Sequence, residues 1–332
     1  MDIAAVWQDL ELSLLVTERR VEAGDIVAFE LERPDGSELP PFEAGAHVLV
    51  EAAPGIRRAY SLCGDPADRC RYILAVQRES VSRGGSAALH DRLHLGMSLR
   101  MTRPRNDFPL QEGARRSVLL AGGIGVAPLL AMAERLFSLR SDFVLHYCIR
   151  SPERMAFARR LARSGFEHHV HVHHDHGAVP HRFNAASVLA VPEHEIEGTH
   201  VYVCGPAGFI DHVMGAAQQY GWGAAQLHRE YFPFPSEATD ASDEATFDLV
   251  LASNGQRIHV GPGKSAARAL QKAGIPLLLS CGEGICGTCV TTVLPRQPDH
   301  RDHYLTGDDR RRDDCFMPCC SRAQTNELVI DL

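Results

Sequence analysis

The spacing of cysteines near the C-terminus constrains this chain more than any other feature. Cys281-x4-Cys286-x2-Cys289 is followed after a further 29 residues by Cys319, with Cys315 and Cys320 beside it. This is the plant-type spacing of [2Fe–2S] ligation, in which four thiolates hold two irons. Gly282, Gly284 and Gly287 let the backbone wrap closely and aim N–H groups at sulfur. A zinc site would ordinarily take two closely spaced Cys pairs instead. Six of the ten cysteines fall in the last 52 residues. That clustering favours a metal or cluster site in a reducing cytoplasm over a disulfide framework.

Composition excludes several function classes. With 45% apolar and 23% charged residues, the chain of 332 residues can bury a core and is long enough for two or three domains. Its formal charge of −8 argues against binding nucleic acid through phosphate neutralisation. No apolar run approaches the length of a membrane span. The start, Met1-Asp2-Ile3, carries an acid where a secretory signal would carry Lys or Arg, so a cytoplasmic protein is expected.

Residues 1–110 read as β structure. Short strands are expected at Ile26–Leu31, His47–Val50, Tyr72–Val76 and Ser98–Met101, with one helix near Ser86–Leu93, which suggests an antiparallel barrel. Residues 111–232 alternate strands (Ser117–Leu120, Phe143–Ile149, Val170–Val172, Val201–Val203) with helices, the pattern of a parallel α/β sheet. Residues 233–245 are polar and Pro-interrupted, a linker. In residues 246–332, Phe247–Leu251 and Ile258–Val260 flank the hairpin signal Asn254-Gly255, and Ser265 can N-cap a helix that stops at Gly274. A β-β-α unit with a Cys-rich loop follows, the outline of a β-grasp ferredoxin domain.

Three further motifs carry chemistry. Arg58-Ala59-Tyr60-Ser61 follows a strand, and Arg83-Gly84-Gly85-Ser86 opens the barrel's single helix, where a glycine nest and a helix N-terminus favour an anion. Gly122-Gly123-Ile124-Gly125 sits between a strand and a helix that carries Pro128 in its first turn, and Cys204-Gly205-Pro206 ends a later strand. Each motif alone is modest. Barrel, Gly-Gly-Ile-Gly, Cys-Gly-Pro and plant-type cysteines in that order are not. Together with Pro298–Asp302 and Pro318-Cys319-Cys320-Ser321-Arg322-Ala323, they resemble the phthalate dioxygenase reductase family over almost the entire chain.

The resemblance implies roles for particular residues. Cys281, Cys286, Cys289 and Cys319 would ligate the cluster, because the family's last ligand precedes a small residue and Ser-Arg-Ala. Arg58 would meet the flavin phosphate, Tyr60 would pack on the ring, and Ser61 would approach its N5 edge, with Ala59, Ala75, Val76 and Gln77 along the flavin edge. Arg83, Gly84, Gly85 and Ser86 would give a second phosphate hold, and the family's flavin is FMN. Gly122, Gly123, Ile124 and Gly125 would form the pyridine-nucleotide loop, with Cys204, Gly205 and Pro206 beside the nicotinamide and Phe232 in the aromatic end near the flavin. Ser61 and Cys204 are the candidate catalytic residues. The implied activity is electron transfer from NADH through FMN and [2Fe–2S] to a separate terminal oxygenase, Rieske-type in this family and acting on an aromatic compound. A cytochrome P450 reductase and a redox sensor are the alternatives.

Two features remain open to a bland reading. The run His168–His176 suggests a metal site, but a strand ending at the nucleotide cleft accounts for it better and is the expected reading. Residues 233–332 carry fourteen acidic and ten basic residues, so Glu283, Asp308, Asp309, Asp313 and Asp314 are expected either to form a solvated face or to steer a basic partner.

Overall fold

A computed structural model describes residues 12–54, 56–79, 84–176, 181–232, 244–279, 282, 284, 287–294, 297–302, 304, 305 and 307–332. Contacts divide the chain into one compact unit spanning Leu10–Phe232 and another containing Pro233–Leu332.

In the first unit, β1 (Leu12–Ala23), β2 (Ile26–Glu32), β3 (His47–Ala53), β4 (Ile56–Ser61), β5 (Arg71–Gln77) and β6 (Ser98–Met101) form a six-stranded sheet in the order β4-β3-β6-β1-β2-β5. Every pairing is antiparallel. A bridge between Leu62 and Leu74 ties the end of β4 to β5, so the sheet closes into the expected barrel. Apolar residues of alternate register, among them Leu14, Val16, Phe29, Val48 and Leu74, fill its interior. The twelve-residue β1 escapes a sequence reading because Glu18-Arg19-Arg20 masks its alternation. Glu18 and Arg20 are paired along the strand, Arg20 donating to Glu18 at 2.5 Å and to Glu22 at 2.7 Å, while Arg19 donates to the His90 carbonyl at 3.1 Å.

The same unit continues with a parallel sheet of β7 (Arg116–Gly122), β8 (Asp142–Ile149), β9 (Val170–His174), β10 (Thr199–Gly205) and β11 (Leu227–Tyr231), in the order β11-β10-β7-β8-β9. The chain runs outward from β7 to β9 and then returns to β10 on the other side of β7. Crevices at such reversals, beyond the carboxyl ends of the strands, are where open α/β sheets bind ligands. The helix Val126–Ser138 packs on this sheet with Val126–Ala133 wholly buried. Ala23, Ile26, Ala28, Ala44, Cys63 and Ala75 from the barrel share one core with Leu119, Tyr147, Tyr202 and Cys204 from the parallel sheet. The change at residue 110 therefore separates two sheets but not two cores.

In the second unit, β12 (Phe247–Leu251) and β13 (Arg257–Val260) form the expected antiparallel hairpin, with Gly255 at φ 71°. The Ser265 side chain accepts from Arg268 N and caps the helix Ala266–Lys272. Two short ladders follow, β14 (Thr291–Thr292) with β16 (Cys315–Phe316) and β15 (Pro298–Asp299) with β17 (Arg322–Ala323). β18 (Glu327–Ile330) then lies parallel to β12, which completes a β-grasp. Among the described residues, no helix is long and apolar enough to cross a membrane.

Candidate functional site

The two anion motifs of the barrel meet in space. A Cβ on Gly85 would fall 2.7 Å from Cγ and 3.0 Å from Nε of Arg58, so the arginine lies directly over the start of the helix Gly85–Arg92. The helix start supplies the positive end of its dipole, and the guanidinium adds a charge. Ser86 Oγ accepts from Glu79 N at 3.1 Å, which ties the helix start to the chain beyond β5. In β5, Ala75 and Val76 are buried, and Gln77 donates to Asp25 Oδ2 at 2.8 Å. Ala59 and Tyr60 are half-buried in β4. Arg83 lies outside the described residues.

The two nucleotide motifs also touch, because β7 and β10 are parallel neighbours with Ala121 opposite Cys204. A Cβ on Gly125 would sit 2.2 Å from the Cys204 carbonyl oxygen, and one on Gly122 would sit 2.9 Å from Pro206 and Phe209. Only glycine permits this approach. Gly123 and Ile124 form the turn between β7 and the helix, and Gly205 packs on Gly122. Phe232 follows β11 and packs against the shared core.

Barrel and parallel sheet converge on one carboxyl. Ser61 Oγ donates to Glu230 Oε2 at 3.4 Å, across 169 residues of sequence, and Cys204 Sγ approaches the same oxygen at 3.8 Å. Ser61 ends β4, Cys204 lies near the end of β10, and Glu230 is in β11, aligned with Cys204. Burial pushes the Glu230 carboxyl up to about 8, and the negative charge of Asp107 adds to the rise. Burial, with Glu230 beside it, also holds the Cys204 thiol well above its ordinary value. The point where the flavin and nucleotide motifs meet therefore carries a hydroxyl, a neutral thiol and a carboxyl that keeps its proton at neutral pH. Sequence reasoning placed Glu230-Tyr231-Phe232 near the flavin through the resemblance but gave the Glu230 carboxyl no chemical role. The signal that could have found it is an acid aligned with the Cys-Gly-Pro strand.

In the second unit, Cys289 and Cys319 are both buried, and their thiols lie within hydrogen-bonding reach of each other. Cys281 and Cys286 lie outside the described residues. Gly284, at φ 76°, leaves room for Cys320 Sγ, which a Cβ there would meet at 2.4 Å. Gly287, at φ 74°, lies beneath the Tyr304 ring, 2.2 Å from where its own Cβ would be. The Cys289, Cys319 and Cys320 thiols brought together, with Gly284 and Gly287 leaving no room for an added Cβ, fit an iron–sulfur cluster. Cys315 is paired through its backbone with Thr292 in the β14–β16 ladder.

The histidine run resolves into a stacked surface. His146 Nδ1 and His173 Nε2 share a hydrogen bond of 3.0 Å, and His173 stacks on His181. Burial lowers His146 and His173 to about 4, which keeps the rings neutral. Among the described residues no three His, Cys, Asp or Glu side chains gather as a metal site. Of the acids near the last ligand, Asp314 lies 3.5 Å from Arg312 and Asp313 lies 3.1 Å from His300, while Asp309 is also paired with Arg312.

Known proteins resemble nearly the whole chain. Over 321 residues, 97% of this chain and 100% of that protein, the chain is 44% identical to a vanillate O-demethylase oxidoreductase from Pseudomonas sp. (strain HR199 / DSM 7063). It is 38% identical to a phthalate dioxygenase reductase from Burkholderia cepacia, with 98% of each chain covered. The chain belongs to the phthalate dioxygenase reductase family. It is thus an electron-transfer oxidoreductase. The solved structure of a phthalate dioxygenase reductase, described as modular for electron transfer from pyridine nucleotides to [2Fe–2S], matches with a TM-score of 0.77 over 97% of this chain and 98% of that one. Residues 250–324 match the 2Fe-2S iron-sulfur cluster binding domain, and residues 97–227 match the N-terminal domain of dimethylamine monooxygenase subunit DmmA-like proteins. An intact type IV self-sufficient cytochrome P450 monooxygenase contains a region like the whole reductase, 38% identical with a TM-score of 0.75, over 41% of its length.

Proposed function

We propose that the chain is the NADH-dependent reductase component of a two-component, Rieske-type oxygenase or demethylase acting on an aromatic compound, in the cytoplasm. In this reading residues 1–110 hold FMN, residues 111–232 hold the nucleotide, residues 233–245 link, and residues 246–332 carry the cluster on Cys281, Cys286, Cys289 and Cys319. The observation that carries it is the convergence of Ser61, Cys204 and Glu230 where barrel and parallel sheet meet. When bound, flavin and cluster convert a two-electron hydride into single electrons.

The chain's own residues bind, orient and protonate. Arg58 and the N–H groups from Gly84 to Ser86, with Arg83, take the flavin phosphate. Gly122–Gly125 admit the nucleotide backbone closely, and Cys204 and Pro206 shape the nicotinamide face. Ser61 Oγ and Glu230 Oε2 hold a proton at the meeting point. Ser151 hydrogen-bonds Glu153, holding that carboxyl below the usual range, and Arg154 lies 3.6 Å from Asp25. A carboxylate at the end of β8 and an arginine already paired favour a free ribose hydroxyl over a 2′-phosphate, hence NADH over NADPH.

Two measurements test this. Anaerobic mixing with NADH should bleach the flavin band and then the cluster bands, with kcat/KM for NADPH at least about tenfold lower, an easily resolved ~1.4 kcal/mol. Equal use of both nucleotides would reject the assignment at β8. Arg58→Ala should weaken flavin binding by about 1.5–3 kcal/mol, the usual range for a hydrogen bond to a charged group. Full flavin retention after dialysis would remove Arg58 from the phosphate site. The self-sufficient P450 supports a second reading, a P450 partner; reduction of a Rieske oxygenase but not of a P450 separates the two.

A further inference from the structure

The hairpin turn of the barrel between β1 and β2 grips the segment that follows β8. At the end of β1 the register with β2 slips between Val21 and Ala23, so Glu22 sits in a bulge and its side chain is re-aimed. That side chain is only 8% exposed. Its Oε2 accepts from the backbone N of Phe157 at 3.0 Å, across 135 residues of sequence, while Oε1 accepts from Arg20 Nε at 2.7 Å. Phe157 is a non-glycine residue at φ 60° and ψ 19°, wholly buried in the shared core. A bulky residue in the left-handed region is costly and persists only where its surroundings hold it there. Further contacts reach the same segment: Arg154 lies 3.6 Å from Asp25 on the same turn, and Arg160 donates to the Cys63 carbonyl at 2.6 Å and to Glu134 at 3.0 Å.

The gripped segment, 150–157, leaves the carboxyl end of β8, next to β7 and its Gly-Gly-Ile-Gly turn. In doubly wound sheets that is where the ribose of a dinucleotide is held. We infer that Glu22 of the barrel is a positioning residue for the pyridine nucleotide: by accepting the Phe157 N–H it locks the strained bend that presents residues 150–154 to the ribose. The inference rests on the nucleotide reading above. A purely structural staple would lower stability and flavin retention together, whereas a positioning residue changes nucleotide affinity while the flavin stays in place.

The test uses the full chain with its cofactors. Calorimetric titration with NAD⁺ should show binding about tenfold weaker in Glu22→Ala, the size expected when a charged acceptor is lost. Flavin content and the limiting rate of anaerobic flavin reduction at saturating NADH should match the parent. Glu22→Gln keeps an acceptor for the Phe157 N–H and should bind within about twofold of the parent. Glu22→Asp, shorter by one methylene and the fallback if Glu22→Ala is not recovered folded, should fall between them. Unchanged NAD⁺ affinity in Glu22→Ala and Glu22→Asp, or flavin loss in step with affinity, overturns the inference while leaving the proposed function standing. A parent chain that binds no NAD⁺ overturns both.

Discussion

Cys319→Ser is expected to abolish the visible bands of the iron–sulfur cluster while leaving the flavin fully reducible by NADH. A serine oxygen is a harder and far more basic ligand than a thiolate, so it replaces sulfur poorly on iron. The Cys319 thiol meets those of both Cys289 and Cys320, and Cys320 also faces Gly284; the family resemblance puts the last ligand at Cys319. Cys320→Ser should therefore keep the bands, and the pair of variants settles which neighbour is the fourth ligand. The flavin is expected to survive because Leu10–Phe232 forms a compact unit with cores of its own. Loss of the bands in Cys320→Ser with retention in Cys319→Ser would reverse the ligand assignment. Failure of flavin reduction in folded Cys319→Ser would overturn the order of electron flow.

Glu230→Gln should slow anaerobic flavin reduction by about a hundredfold, the lower end of what a positioned proton donor contributes. In the parent, Glu230 keeps its proton until pH rises through about 8, so the rate should fall on the alkaline side of that value. The variant should lack this limb. The sign for stability is opposite. An ordinary carboxyl ionises near pH 4, whereas this one resists ionisation only in the folded chain, so its cost builds from there and is complete above about 8. Glu230→Gln should thus gain thermal stability in alkaline buffer relative to the parent. A variant that reduces flavin at the parent rate across the pH range would remove Glu230 from the proton path. Rate and stability together separate a chemical role from a packing one.

Much of this protein was legible in the chain because its signals are local. The cysteine spacing, the glycine turn ahead of Val126–Ser138, the Asn254-Gly255 hairpin and the Ser265 cap each depend on a handful of neighbouring residues whose backbone needs are narrow. Barrel, parallel sheet and ferredoxin unit follow from where these signals fall, and the structure reproduces that order. β1 was hidden because Glu18-Arg19-Arg20, with Glu18 and Arg20 paired along the strand, breaks the apolar alternation a reader looks for. Short β18 was hidden too, since its place beside β12 comes from a crossover and not from a turn.

What the amino-acid sequence determined by itself is which chemistry each segment can perform, because thiolate spacing, glycine turns and phosphate-seeking arginines are properties of a few consecutive residues. What only the tertiary structure decided is which of those groups act together. Arg58 lies over Gly85 because barrel closure brings β4 beside the helix start. Glu230 holds its proton because β4, β10 and β11 crowd one partly buried carboxyl, with Ser61 supplied from 169 residues away. Glu22 meets Phe157 because a bulge in one sheet turns a side chain toward a loop of another. Burial and long-range pairing set protonation and positioning, and neither is a property of any single stretch of sequence.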